Sequence, residues 1–181
     1  MMSKYIEIRK IGGIEIWSDQ IYFDNRGFFN KIFTANPRRQ LILDSLAISN
    51  NEAAGTLRGL HFQYGIYSEE KIIKCIRGKI FDVVVDLRRD SKTFGRWSSL
   101  VLTEDEPKTI FLPIGIAHGF QSLEDASQVF YGITKKYDPE NSSTIRFDDS
   151  DLNIDWPMEV KNISEKDLGG SSFSEAVKRF K

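Results

Sequence analysis

The sequence predicts an all-β domain: a jelly roll of two packed antiparallel sheets with a few short helices. Three observations carry this. Short apolar runs recur along the chain, punctuated by Gly, Pro, Asn and Asp, as in sandwiches and barrels. Aromatic residues are plentiful, with 13 Phe, 6 Tyr and 3 Trp in 181 residues, which favours strands over helices. Stretches with helical spacing are few and short.

Taken in order, residues 7–17 and 28–34 read as strands, and 37–46 as one short helix. Strands follow over 45–50, 57–62 and 71–76. Arg77, Gly78 and Lys79 then make a turn into a strand over 79–87, and the two runs together read as a hairpin. In the second run Phe81, Val83, Val85 and Leu87 share one face, and Asp82, Val84 and Asp86 the other. A turn near Asp90 and Lys92 leads to strands over 96–102, 109–112, 118–121 and 127–136. At the end, Phe173, Val177 and Phe180 lie at helical spacing, with Ser172 placed as N-cap and Glu175 three residues on. So many strands with so little helix require two sheets rather than one open sheet, and the barrel mouth is the natural ligand site. No repeat or low-complexity tract divides the chain, so 1–181 reads as a single domain.

A formal net charge of −1 offers no basic field for nucleic acid. No apolar run approaches the roughly 18 residues of a membrane span, and the first ten residues lack the apolar centre of a signal peptide. Cys75, the single cysteine, cannot pair within the chain and fits a reducing compartment. A cytoplasmic location is expected.

Four places carry candidate chemistry. Leu57-Arg58-Gly59-Leu60-His61-Phe62-Gln63 packs a cation, a glycine and a histidine into one strand, and histidine suits proton transfer near neutral pH. A hydrogen-bonded structural histidine fits the same pattern. On a regular strand Arg58 and His61 would face opposite ways, so a bulge, or a strand starting only at Gly59, is expected. Lys71 shares a face with Ile73 and Cys75, and Lys74 with Ile72 and Ile76, so one lysine points inward. A desolvated ammonium there would stabilise an oxyanion. Pro113 and Gly115 turn the chain before His118 enters a strand, and Tyr131 stands among aliphatics, shielded from water. With only two histidines, a three-His metal site cannot form, although two His and one carboxylate remain arithmetically open. Cys75 lies mid-strand among apolar residues, where a thiol is normally inert.

With these residues assembled, the chain resembles the dTDP-4-dehydrorhamnose 3,5-epimerase family, of the cupin class, over residues 24–167. The likeness is carried by Asn25-Arg26-Gly27-Phe28-Phe29, the Leu57 to Gln63 block, Glu70-Lys71, Ala117-His118-Gly119-Phe120, Phe130-Tyr131, Ile154-Asp155-Trp156-Pro157 and Ser164-Glu165-Lys166-Asp167. The resemblance implies a cupin-type jelly roll that dimerises by exchanging strands and needs neither metal nor organic cofactor. It implies His61 as base, Asp167 as its orienting carboxylate, Lys71 beside the enolate oxygen and Tyr131 as acid on the opposite sugar face. Arg26 and Arg58 match arginines on the nucleotide diphosphate, and Phe29, Gln63, His118 and Tyr137 match pocket positions. The implied reaction inverts C3, C5 or both of a nucleotide-linked 4-keto-6-deoxyhexose.

Two departures bear on the base. Lys31 stands where family members with thymidine substrates carry an acidic residue, and residues 44–49 lack the family's Gln and Asn. The default dTDP substrate therefore shares the field with CDP or another nucleotide. A 3,4-ketoisomerase, a single-carbon epimerase, a non-catalytic sugar-nucleotide-binding cupin and a metal-dependent oxygenase are the other readings.

Overall fold

The computed structural model describes residues 5, 7–18, 20–33 and 41–179. In chain order the strands are β1 (Glu15–Ser18), β2 (Ile21–Asp24), β3 (Gly27–Asn30), β4 (Ser45–Asn51), β5 (Leu57–Gln63) and β6 (Lys71–Arg77). They continue as β7 (Lys79–Asp86), β8 (Trp97–Thr103), β9 (Lys108–Leu112), β10 (Ile116–Ser122), β11 (Ser127–Ile133) and β12 (Ser142–Thr144). Helices α1 (Glu165–Leu168) and α2 (Phe173–Arg179) close the chain. One sheet has the order β1-β9-β6-β11-β4 and faces a second of order β12-β5-β10-β7-β8; β2 and β3 form a separate hairpin. Every pairing between these strands is antiparallel, so the expected two-sheet jelly roll is the observed architecture.

Side-chain alternation explains why both faces of β7 are apolar. Val84 and Ile80 point between the sheets, joining Ile73, Val129, Ile110 and Phe120. Val83, Val85 and Leu87 point outward, where Leu152, Phe173 and Val177 cover them. The C-terminal segment is thus a lid over the second sheet. Its anchor is the capping box read from the sequence: Ser172 N–H donates to Glu175 Oε2 (3.1 Å) and Glu175 N–H to Ser172 Oγ (3.3 Å). Phe173 and Val177 are buried as their spacing predicts, while Phe180 lies outside the described residues.

Several expectations are corrected. The runs 71–76 and 79–87 are not a hairpin: β6 pairs with β9 and β11, β7 with β8 and β10. Gly78, at φ +69°, is a corner where the chain changes sheet. Turn residues look alike at a hairpin and at such a corner. Residues 7–17 divide, because the Gly12-Gly13 pair interrupts the run. Ile8–Lys10 forms a 3-10 turn that buries Ile8, and only Glu15–Ser18 is strand. Of the helix expected over 37–46, residues 37–40 lie outside the described residues, 41–44 are irregular, and 45–46 already belong to β4. Asp44 N–H donates to Ile133 O (2.8 Å), so pairing with β11 overrides local propensity there. The strand expected over 28–34 ends at Asn30, and its partner β2 had no clear signal, as β12 had none.

Candidate active site

Between β4, β6 and β11 on one side and β5, β10 and β12 on the other, the barrel holds a cavity of about 360 Å³, within the range of small-molecule sites. A local irregularity of β5 aims its side chains. Phe120 lies opposite Arg58, yet His118, two residues earlier, lies opposite His61, three residues later. The extra residue is a bulge, and it brings Arg58 and His61 to the same wall. Gly59 makes it possible. Its φ is +115°, and a Cβ there would sit 2.5 Å from Gly119 Cα and 2.7 Å from His118 O. The Gly59–Leu60 peptide is cis.

His61 Nε2 lies 2.6 Å from Asp167 Oδ1. The His61 side chain is 41% exposed and that of Asp167 only 5%, so the imidazole meets the cavity and the carboxylate stays behind it. Asp167 is fixed by its own helix start: its N–H donates to Ser164 Oγ (3.1 Å), and Gly59 N–H donates to its Oδ2 (3.2 Å). Burial works against the ionised carboxyl. The hydrogen bonds from His61, Gly59 and Ser164, with the His61 charge, outweigh it and hold Asp167 below the usual carboxylate range. An ionised carboxylate only accepts, so Nε2 is a donor here, and in the neutral imidazole Nδ1 is the nitrogen that carries the lone pair.

The facing sheet supplies the other groups. Lys71 is the inward lysine, 9% exposed at its side chain, 2.8 Å from Glu69 Oε1, and its Nζ donates to His61 O (3.3 Å). Lys74 is buried on the outer face instead, donating to Lys31 O (2.7 Å). Tyr131 stands opposite Ala47 and Ile73 and lines the cavity. Burial, and the Asp82 charge behind it, push its hydroxyl above the ordinary phenol value, against a smaller pull from Arg58. His118 sits beside His61 on the next strand, its Nε2 2.7 Å from Asp82 Oδ2, with both side chains buried. The two described imidazoles are therefore both backed by carboxylates. Among the described residues, no three His, Cys, Asp or Glu side chains converge as a metal-ligand set.

Arg58 is tied to the end of β4, its Nε donating to Asn51 Oδ1 (2.8 Å) and Nη2 to Asn50 O (3.2 Å). Tyr137 is at the mouth, where hydrogen bonds from Ser142 and Lys166 hold its hydroxyl below the phenol value. The Gln63 amide is fully engaged: its two N–H groups are shared among Glu69 Oε2 (2.7 Å), Tyr67 O and Lys136 O, and its oxygen accepts from Asp138 N–H (2.7 Å). Gln63 thereby braces Glu69, which in turn holds Lys71. Arg26 and Phe29 do not reach this cavity within the chain. Both lie on the β2–β3 hairpin, Phe29 is 63% exposed, and Arg26 pairs with Asp24 (2.6 Å). Asp82, Glu69, Lys135 and Lys166 at or behind the walls were not singled out from the sequence. Asp82 had a signal, a carboxylate on the inward face of an apolar strand. The thiol of Cys75 is buried, donates to Arg77 O and Gly78 O, and is pushed by burial up to about 12, which leaves it unreactive.

The sequence model of the dTDP-4-dehydrorhamnose 3,5-epimerase family matches residues 9–175. The chain belongs to this family. The dTDP-4-dehydrorhamnose 3,5-epimerase of Methanothermobacter thermautotrophicus is 40% identical over 163 residues, covering 87% of this chain and 88% of that protein. The crystal structure of the Bacillus anthracis enzyme, with TDP and pyrophosphate bound, superposes with a TM-score of 0.85 at 31% identity and covers 92% of this chain and 97% of that one. ChmJ, a 3'-monoepimerase from Streptomyces bikiniensis in complex with dTDP-quinovose, superposes at 0.87 with 26% identity, over 96% and 90% of the two chains. As a member of the dTDP-4-dehydrorhamnose 3,5-epimerase family, the chain has the cupin-type jelly roll that its resemblance implied, with the paired imidazole, the ammonium and the phenol around one cavity.

Proposed function

We propose that this protein epimerises a nucleotide-linked 4-keto-6-deoxyhexose at C3, C5 or both, by removing a proton from one sugar face and returning one to the other. The ketone at C4 acidifies its neighbouring C–H bonds, because the resulting anion delocalises onto oxygen. His61, with Asp167 behind it, is the base; Tyr131, on the opposite sheet, is the acid; Lys71 faces the enolate oxygen. The observation that carries this reading is the 2.6 Å His61–Asp167 pair set across one sugar-sized cavity from Tyr131. Acid–base placement of this kind contributes roughly 10²–10⁴ in rate, and an oxyanion donor about 2.7–4 kcal/mol. Arg58 holds the diphosphate, with His118 and Tyr137 on the walls.

The working substrate is the dTDP-linked sugar, supported by the TDP and dTDP-quinovose bound to the two relatives. A second reading, a different base such as cytosine, is favoured by the β4 wall. Its cavity-lining positions are Ser45, Ala47 and Ser49, which supply no side-chain amide for base recognition, and the amide of Asn51 is taken up by Arg58 and Ser127 O. Incubation in D₂O with dTDP- and CDP-linked 4-keto-6-deoxyglucose tests both at once. Deuterium at C3 or C5 with inverted stereochemistry supports the epimerase, and its positions count the carbons. Nucleotide binding without exchange would instead identify a non-catalytic binder, and movement of the keto group to C3 a ketoisomerase.

The same reading includes a homodimer that exchanges strands, with Arg26 and Phe29 completing the neighbour's cavity. Its support is the run of exposed apolar side chains Tyr22, Phe23, Phe28, Phe29, Leu46 and Ile48 on the hairpin and on β4, an edge strand. No helix among the described residues is long and apolar enough to cross a membrane. A cytoplasmic location goes with the reading and is supported by the lone, buried Cys75.

A further inference from the structure

We propose that His118, positioned by Asp82, passes a proton to Tyr131 as the phenol gives its own to the sugar carbon. The proposal rests on the epimerase reading above and adds a relay behind its acid. Three observations lead to it. The His118 and Tyr131 rings meet edge to face with centroids 6.0 Å apart, a separation that one bridging water can span. His118 is joined to Asp82 at 2.7 Å, and both side chains are withdrawn from solvent. Asp82 Oδ1 is buried with no hydrogen-bond partner among the described residues, so this carboxylate acts through His118 alone.

That last point separates the relay from a packing role. A buried carboxylate with an empty oxygen is costly, and an amide or an aliphatic side chain would fill the same strand position at less expense. A catalytic role is one of the few reasons a folded protein keeps such a group. The acid also needs the help. A lone phenol donating its proton in this setting leaves a shielded phenolate facing the Asp82 charge, the same pair of effects that already raises the Tyr131 hydroxyl.

The proton count closes. His61 takes the C–H proton and the electron pair moves to the C4 oxygen. As the enolate collapses, the Tyr131 O–H bond breaks and a C–H bond forms on the other face. The His118 imidazolium, whose charge Asp82 faces, gives its Nδ1 proton to a bridging water, which passes one of its own to the Tyr131 oxygen. When product leaves, His61 releases one proton to water and His118 recovers one. Nothing is oxidised or reduced.

The test uses the intact protein and dTDP-4-keto-6-deoxyglucose, reading two rates separately: loss of label from the acidic carbon and appearance of inverted product. Asp82→Asn keeps the shape of the side chain and removes its charge without touching substrate. Label loss should stay within about threefold of wild type and KM should hold, while inversion falls roughly 10²-fold or more. Tyr131→Phe should show the same split, and the Asp82→Asn, Tyr131→Phe double variant should be no slower than Tyr131→Phe alone. Should Asp82→Asn not fold, His118→Gln is read by the ratio of the two rates alone, because His118 lines the cavity and its loss also moves KM. Label loss and inversion falling together, both staying unchanged, or the two substitutions adding independently would overturn the relay. Absence of any label loss in wild-type protein would defeat the epimerase reading itself, a distinct result.

Discussion

At the scale of single residues, the site depends on which groups see the cavity and which stand behind them. His61 is accessible and Asp167 is not, so substitution of each should fail differently. His61→Asn removes the proposed base and should lower turnover by about 10²–10⁴ with nucleotide affinity kept; turnover at the wild-type rate would refute the base assignment. Asp167→Asn leaves the imidazole in place but withdraws the charge that orients it, so a smaller fall in kcat with little change in KM is expected from steady-state kinetics. His61 and Tyr131 stood out as candidates because each is a chemically capable side chain in a strand of otherwise apolar alternation, whereas alternation left Lys71 and Lys74 open and only the family resemblance chose between them. Asp82 was passed over because its neighbours Phe81, Val83 and Val84 make the strand look like packing alone. Gln63 shows the opposite case. Its position was legible, while its four partners, spread from Tyr67 to Asp138, belong to the folded chain and to no local pattern.

Among elements, two devices hold the catalytic strands, and each carries a prediction. The β5 bulge needs Gly59. An added methyl there meets backbone 2.5 Å away, at a φ that L side chains rarely adopt. Gly59→Ala should therefore lower the melting temperature and cost activity even where the chain folds, because it displaces His61 and Arg58 relative to β10. The sequence announced that Arg58 and His61 needed an irregularity, but only the pairing with β10 places it. The second device is the turn after β7. Asp86 is fully buried and accepts from Arg88 Nε (2.8 Å), Ser91 Oγ (2.6 Å) and Thr93 Oγ1 (2.6 Å). Burial alone would raise this carboxyl; these hydrogen bonds outweigh it and hold it below the usual range. Because the folded value lies below the unfolded one of about 3.9, the stabilisation is complete above roughly pH 4. It drains away as pH falls from there through the lower folded value. Asp86→Asn should lower stability at neutral pH and flatten the acid limb of the stability curve, measured by urea unfolding between pH 3 and 7. A parallel curve, shifted but equally steep, would contradict the assignment.

For the molecule as a whole, the cavity in one chain is short of groups that the family resemblance assigns to it. The β2–β3 hairpin carries Arg26 and Phe29 away from the site and exposes Phe23 and Phe28 at 76% and 69%, more apolar surface than an isolated protomer would be expected to leave in one place. Which chain a residue serves is invisible in a sequence, since a motif is written once whether it acts in its own subunit or in the next. Subunit mixing decides this. Arg26→Ala and His61→Asn should each be inactive alone. If Arg26 serves the neighbouring site, a mixed dimer gathers both defects into one site and leaves the other intact. Random reassortment of equal amounts through mild denaturation then restores about one quarter of wild-type sites. If Arg26 acts within its own chain, each site in the mixed dimer keeps one defect and no activity returns. Recovery near that fraction, with a dimer seen by light scattering, would place the hairpin of each subunit over the cavity of the other. No recovery from a reassorted dimer would return Arg26 to its own chain and remove the main chemical reason for the strand exchange.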